Sequence, residues 1–256
     1  MGQRLPVLLA VWLAAVVSST ACATSETPDT ATTPEVQSAP TASDVITAPN
    51  SLTDAERDAG WFLLFDGETL IGWRSYYSGE LPGGWRAEHG TLHRFGGGGD
   101  IITQGAFTDF ELSIDWRVEG GGNSGVFYLA ALGSDNIFMS APEMQVLDDA
   151  GHHDGQDPLT SAGSNYGLYP APRGAVKPTG EWNHARIMVK SGHVEHWLNG
   201  VKVVEYQLGS AEWTDLVKNS KFNDWSEYGL ARSGHIGLQD HGDPVWYRNI
   251  KIRVID

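Results

Sequence analysis

The segment Phe110-Glu111-Leu112-Ser113-Ile114-Asp115-Trp116-Arg117-Val118 alternates apolar and polar residues without a break for nine positions. Successive side chains of a strand point to opposite faces, so Phe110, Leu112, Ile114, Trp116 and Val118 share one face. On a helix the same residues would scatter around the axis. An amphipathic strand of this length needs neighbours to pair with and a second layer to cover its apolar side. The same pattern recurs at 185–190 and 194–198, which flank Ser191-Gly192-His193, and at 201–206, which follows Asn199-Gly200. Asn-Gly between strands favours a type I′ turn with positive φ at both central residues. Further strands are expected at 62–65, 85–89, 91–95, 101–103, 125–129, 143–147, 235–239 and 245–255. In the last of these, Trp246, Ile250, Ile252 and Val254 share a parity that also contains Arg248, which implies a bulge or a local charge partner. Trp61 and Trp116 are expected in the core. Helix is expected only at 53–58 and 211–219. With no repeat and no βαβ alternation, the pattern predicts an all-β sandwich or barrel. The long segment 148–184 exceeds an ordinary hairpin loop, and its aromatic and His residues point to a functional loop.

The first fifty residues read differently. Arg4 precedes a thirteen-residue apolar stretch, Leu5 to Val17, and then Ser18-Ser19-Thr20-Ala21-Cys22. A basic start, a short apolar core and small residues make an export signal, and the stretch is too short to span a bilayer as a helix. The chain's one cysteine, Cys22, follows Ala21 as in a bacterial lipoprotein signal, with Ser19 where Leu is usual. Residues 1–22 are therefore expected to be a signal with Cys22 as the lipidated residue. Ordinary cleavage after Ala23 is the competing expectation. The protein is expected at the cell envelope, or periplasmic or secreted without the lipid. Residues 24–50 hold seven Thr, four Ala, four Pro and three Ser and no aromatic. Such a composition cannot offset the entropy of ordering, so 23–50 is expected to be a tether and 51–256 the folded domain. The whole chain carries 17 basic and 32 acidic side chains, a net charge of −15. That balance argues against nucleic acid, whose binding needs clustered Lys and Arg, and against an anionic membrane surface or a polyanionic substrate. A single cysteine excludes a disulfide within the chain.

Candidate chemistry lies on two strands. Glu143 and Gln145 share one face while Met144 and Val146 share the other; in 235–241, Ile236 and Leu238 face the core while His235, Gln239 and His241 face away. Acid, amide and imidazole directed off the core imply a polar surface. Aromatics near it (Tyr166, Trp182, Trp197, Trp246) would suit the apolar CH faces of sugar rings. The bland reading of either strand is a solvated outer face, and His152-His153-Asp154 reads first as surface loop. No HExxH, zinc spacing or phosphate loop is present. Ser124-Gly125 lacks the strand–Ser–helix context of a hydrolase nucleophile.

Several pieces in order resemble the 3-keto-disaccharide hydrolase domain family over about residues 60–256. They are Trp61-Phe62-Leu63-Leu64-Phe65-Asp66-Gly67, Asn123-Ser124-Gly125-Val126-Phe127, Glu143-Met144-Gln145-Val146-Leu147-Asp148-Asp149, Gly180-Glu181-Trp182-Asn183, His196-Trp197-Leu198-Asn199-Gly200 and Gln239-Asp240-His241-Gly242, the last running into 244–252. Where family members often have His-Pro-Asp, this chain has His152-His153-Asp154. The resemblance implies a jelly-roll sandwich similar to concanavalin A-like lectins and glucanases. It also implies cleavage of glycosides already oxidised to a ketone at C3 of the sugar, with a separate sugar 3-dehydrogenase upstream.

A conventional glycosidase needs two carboxyls flanking the bond, whereas here Glu143 is followed on its face by an amide, Gln145. A 3-keto sugar needs less, because its ketone acidifies the C2 hydrogen. Removal of that proton and β-elimination at C1 break the bond, and addition of water gives net hydrolysis. Glu143 and His241 are the expected acid–base pair. Asn123, Gln145, Tyr166, His196, Gln239, Trp246 and Arg248 are the expected substrate-binding residues. A divalent metal near Asp148 is a candidate electrophile. The alternatives are a noncatalytic carbohydrate-binding module and a conventional glycoside hydrolase.

Overall fold

The computed structural model describes residues 48–255. The signal, Cys22 and most of the tether lie outside the described residues. Thirteen strands form two antiparallel sheets, and helix is confined to short pieces. In chain order the elements are α1 (Asp54–Asp58), β1 (Phe62–Leu63), β2 (Trp73–Ser75), β3 (Trp85–Glu88), β4 (Thr91–Arg94), β5 (Ile101–Thr103), β6 (Phe110–Val118), β7 (Asn123–Ala130), β8 (Glu143–Leu147), β9 (Asn183–Lys190), β10 (His193–Leu198), β11 (Val201–Gln207), α2 (Ala211–Lys218), β12 (His235–Leu238) and β13 (Val245–Val254). The larger sheet runs β11-β10-β9-β6-β13-β4-β3, with β1 also pairing to β13; the smaller runs β2-β5-β12-β7-β8. This is the expected all-β jelly-roll sandwich.

The alternating strand β6 lies between β9 and β13, with Leu112 opposite Ile187 and Ile252. Its inward residues Phe110, Leu112, Ile114 and Trp116 are almost wholly excluded from water, each side chain contributing about 1.5–3 kcal/mol by that exclusion. They meet Val126, Tyr128, Met144, Val146, Ile236 and Leu238 of the smaller sheet in one core. The hairpins follow their turn residues: Asn199 and Gly200 have φ of 51° and 84°, and Ser191 and Gly192 have 50° and 77°. A second, smaller cluster, built on Ile102, Phe127, Ile137 and Ala141, covers part of the outer face of the smaller sheet.

Three expectations are corrected. Strand β2 was not expected, because three residues carry no readable period. Trp61 is only half-buried, with Lys251 and Arg253 over its ring at 5.8 and 5.2 Å. The parity of β13 breaks at a register shift between Arg248 and Lys251, where Asn249 takes a φ of 51°. Before the shift Val245 and Tyr247 point inward, and after it Ile250 and Ile252 do. Trp246 and Arg248 therefore lie on the outer face of the larger sheet. Arg248 has both the bulge and the charge partner that its parity implied: its Nε sits 3.4 Å from Asp115 Oδ2.

Candidate active site

A hollow of about 190 Å³ opens on the outer face of the smaller sheet. Its floor is β7 and β8, paired so that Gly125 faces Gln145 and Phe127 faces Glu143. The period of two sends Met144 and Val146 into the core and leaves Glu143 and Gln145 on the other side. That side is not solvated, because segment 163–166 runs along β8: Gly163 N–H donates to Gln145 O at 2.9 Å and Tyr166 N–H to Glu143 O at 3.1 Å. The long irregular segment thus supplies a wall and Tyr166. Phe138, Lys221, Phe222, Trp225 and Tyr228 complete the lining.

Glu143 is 7 % exposed. Burial pushes its carboxyl up to about 8; the charge of Asp100 adds to the rise and that of Lys221 opposes it. Room for the carboxyl exists because residue 125 is glycine: a Cβ there would stand 1.9 Å from Glu143 Oε1. Three amide oxygens of the lining, Asn123 Oδ1, Gln145 Oε1 and Gln239 Oε1, are buried with no hydrogen-bond donor. Their own backbone and side-chain bonds hold them still. Gln145 Nε2 donates to Thr160 O at 3.2 Å, and Gln239 N–H donates to Gly125 O at 3.0 Å.

His241 reaches the same hollow from the segment after β12, with its side chain 46 % exposed. A brace fixes that segment. Arg94 pairs with Asp240 at 2.6 Å and donates to Gly242 O; Asp240 N–H donates to Asp100 Oδ1 at 2.8 Å, and Gly99 N–H to Asp240 Oδ2 at 2.9 Å. Burial pushes Asp100 up to about 6. Tyr166 packs under Lys221 Nζ at 4.4 Å, and burial pushes its hydroxyl up to about 12, the charges of Asp154 and Glu143 adding to the rise.

The hollow thus brings together Glu143, His241, Asn123, Gln145, Tyr166 and Gln239. Four expected residues are elsewhere. His196 is wholly buried between the sheets, its Nε2 on Tyr128 Oη at 2.8 Å and its Nδ1 on Gly163 O at 3.0 Å; burial pushes it down to about 4. It cannot reach a sugar. Trp246 and Arg248 line a separate hollow on the other sheet, carried there by the parity break in β13. Asp148 is consumed by its own turn, accepting from Gly121 N–H at 2.8 Å and Ala150 N–H at 3.2 Å. The donors a metal would use lie instead in His152, His153 and Asp154, two imidazoles and a carboxylate whose ligand atoms fall within 4.8 Å of one another. That trio sits at the mouth of the hollow, with the His152 ring 6.2 Å from that of His241. Its Nδ1 accepts Asp154 N–H at 3.1 Å, which puts the ring proton on Nε2, 3.5 Å from Asn123 Nδ2, so His152 ligates a metal only by giving that bond up.

Sequence reasoning missed Lys221 and the aromatic wall. They sit on short 3₁₀ turns, Ile137–Met139 and Lys221–Asp224, and on the chain that follows. Such turns have no period. The one available signal was the density of aromatics after α2.

With this geometry in place, comparison with known proteins decides the family. The sequence profile of the 3-keto-alpha-glucoside-1,2-lyase-like domain matches residues 60–253. The chain belongs to that family. A curated relative from Bacteroides thetaiotaomicron, named 3-keto-disaccharide hydrolase, is 38 % identical over 252 residues, covering 82 % of this chain and 87 % of the relative. A crystal structure from Parabacteroides distasonis, assigned provisionally as a glycosyl hydrolase, superposes with a TM-score of 0.76 at 33 % identity, over 82 % of this chain and all of that one. A second from the same organism, assigned likewise, gives 0.59 at 28 % identity, over 76 % and 99 %.

Proposed function

We propose that the chain cleaves 3-keto-glycosides, with Glu143 as acid and His241 as base. The observation that carries this reading is the lining of the first hollow: one carboxyl, held protonated at neutral pH by burial, beside amide oxygens that lack donors. A buried acceptor without a donor costs about 1–3 kcal/mol, and sugar hydroxyls would supply the missing protons. The aromatic wall offers flat apolar surface to the ring or its leaving group.

The chemistry then balances without a second carboxylate. His241 takes the C2 proton, and the electron pair moves to the C3 carbonyl to form an enolate, whose charge Lys221 and the amide N–H groups offset. The enolate re-forms the ketone as the C1–O bond breaks, and Glu143 gives its proton to the departing oxygen. Water adding across the C1–C2 double bond, its oxygen to C1 and its proton to C2, makes the net reaction hydrolysis; release before addition makes it a lyase reaction. A divalent cation held by His152, His153 and Asp154 would supply a Lewis acid at the mouth. Export by the N-terminal signal, with Cys22 as the lipid anchor, belongs to the same reading and is tested by palmitate labelling of wild type and Cys22→Ser. The partner that makes the ketone would be a sugar 3-dehydrogenase.

The test is incubation with a 3-keto-disaccharide, with and without chelator, followed by mass spectrometry. Cleavage products from wild type, and a loss of about 10²–10⁴-fold in kcat/KM for Glu143→Gln and for His241→Ala, are expected. Wild-type rates in both variants would overturn the assignment.

A further inference from the structure

The second hollow, about 660 Å³, lies on the outer face of the larger sheet and takes no part in the chemistry above. Its floor is a row of side chains set by strand register. Trp246 pairs with His93 on one side and Arg117 on the other, and Trp182 stands just before Asn183, the partner of Trp116. Each plane lies against the next. His93 stacks on Trp246 at 4.6 Å, and the Arg117 guanidinium lies 4.7 Å from the Trp246 ring and 5.1 Å from the Trp182 ring. The ring faces are therefore occupied, and the Arg117 guanidinium fork stands between the two indoles.

Among the described residues Arg117 is the one arginine with no hydrogen bond or ion pair; its only contacts of that kind are the two indole rings. Two of the nearby acids are already taken, and the third, the exposed Glu68, makes no ion pair with it. Asp115 is taken by His184 at 2.8 Å, Asn249 at 2.7 Å and Arg248 at 3.4 Å. Asp66 accepts from Glu68 N–H at 2.8 Å and from Thr69 N–H and Oγ1 at 2.7 Å each. Against a chain of net charge −15, this guanidinium, held between two rings in a hollow, is a local positive centre open to an external anion. Planar carboxylates and tetrahedral sulfates both match the fork. The volume falls within the range of small-ligand sites, about 300–1,000 Å³, and the exposed Glu68 on the rim can accept from hydroxyls.

We propose that this hollow is a noncatalytic binding site for an acidic sugar, its carboxylate or sulfate on Arg117 and its hydroxyls on the rim. It would hold the domain on one acidic residue of a glycan while the opposite sheet carries the reaction.

Because Trp182 and Trp246 flank the fork, occupancy is read by tryptophan fluorescence. The full-length chain is titrated with D-glucuronate, a sulfated hexose, D-glucose, acetate and inorganic sulfate. The expected result is saturable quenching by glucuronate or the sulfated sugar, which of the two naming the anion, and at least tenfold weaker binding of glucose, acetate and sulfate. Arg117→Ala should weaken that binding at least tenfold. Arg117→Lys, which keeps a stacked cation but loses the fork, should weaken it several-fold and covers the case in which the alanine variant does not fold. Both variants should cleave a 3-keto-disaccharide at the wild-type rate, so failure here is separable from failure of the catalytic reading. No response to either acidic sugar, an equal response to acetate or sulfate alone, or binding indifferent to Arg117→Lys would overturn the proposal.

Discussion

Replacing Glu143 by Gln should make the protein more stable, and increasingly so as pH rises. In the folded state burial holds this carboxyl at about 8, against 4.5 for the unfolded chain. Between those values the unfolded chain has released the proton and the native state still binds it. Stability therefore falls with rising pH across that window and levels off above it. At ~1.4 kcal/mol per pH unit, a gap of about three and a half units amounts to about 5 kcal/mol, a large share of a domain's ~5–15 kcal/mol. Gln copies the neutral acid in shape and cannot ionise, so the variant escapes the penalty. The raised Asp100 works in the same direction at lower pH, but it is present in both proteins and drops out of the difference to first order. Urea unfolding at pH 5, 6.5 and 8.5 measures it. The stability advantage of Glu143→Gln should be small at pH 5 and reach several kcal/mol at pH 8.5, while kcat/KM falls about 10²–10⁴-fold. A constant difference across that range would refute the reasoning. Glu143 would then be ionised at neutral pH, and the acid and base roles would have to be exchanged.

Other substitutions test the supports of the site. Gly125→Ala puts a methyl where Glu143 Oε1 now lies; it should displace the carboxyl and lower kcat by tenfold or more with a stability change under about 2 kcal/mol in urea. Asp240→Ala leaves Arg94 buried without its partner, which should cost about 3–5 kcal/mol and lower kcat/KM through the loosened His241. His196→Leu removes the partner of Tyr128 Oη and Gly163 O; calorimetry should show a loss of about 1–3 kcal/mol, with kcat/KM of the folded enzyme unchanged. Since burial holds His196 down to about 4, against 6.5 when unfolded, its contribution is present above 6.5 and lost on acidification toward 4, so wild type and variant should converge in that interval.

Most of the architecture was legible because strand period is a local property. The expected bounds of 110–118, 101–103 and 143–147 coincide with β6, β5 and β8, and parity alone placed Glu143 and Gln145 opposite Met144 and Val146. Parity failed where it had to, at Asn249, because a bulge inserts a residue without announcing which neighbours it exchanges. Trp246 and Arg248 were thereby assigned to the wrong sheet face. His196 failed for a different reason. Alternation puts it on the inward side of β10 with Val194 and Leu198, which speaks for the core rather than for a ligand contact. A tyrosine and a loop carbonyl, both distant in sequence, satisfy it in the core. The aromatic wall and Lys221 were invisible because 3₁₀ turns and loops acquire their direction from tertiary packing.

The electrostatics of the first hollow discriminate between two ways of breaking a glycosidic bond. An oxocarbenium-like transition state gathers positive charge at C1, and a conventional glycosidase meets it with an ionised carboxylate opposite the protonated acid. Here the single lining carboxyl is protonated at neutral pH, and the cation of the lining is Lys221, with Asp100 and Asp154 set behind it. Such a site would raise the energy of a cation at C1. It would lower the energy of an enolate, whose charge develops on the oxygen at C3, and the same protonated carboxyl then has a departing oxygen to protonate. An amide at Gln145 where a second carboxylate would serve a cation, with Lys221 in the lining, thus suits an oxidised sugar. Restoring the acid tests this directly. Gln145→Glu would place two carboxyls on one strand face, where mutual repulsion keeps one of them protonated. It should slow cleavage of the 3-keto-disaccharide by opposing the enolate, at least tenfold in kcat/KM. Faster cleavage by Gln145→Glu would mean that positive charge, not negative, builds up in the transition state.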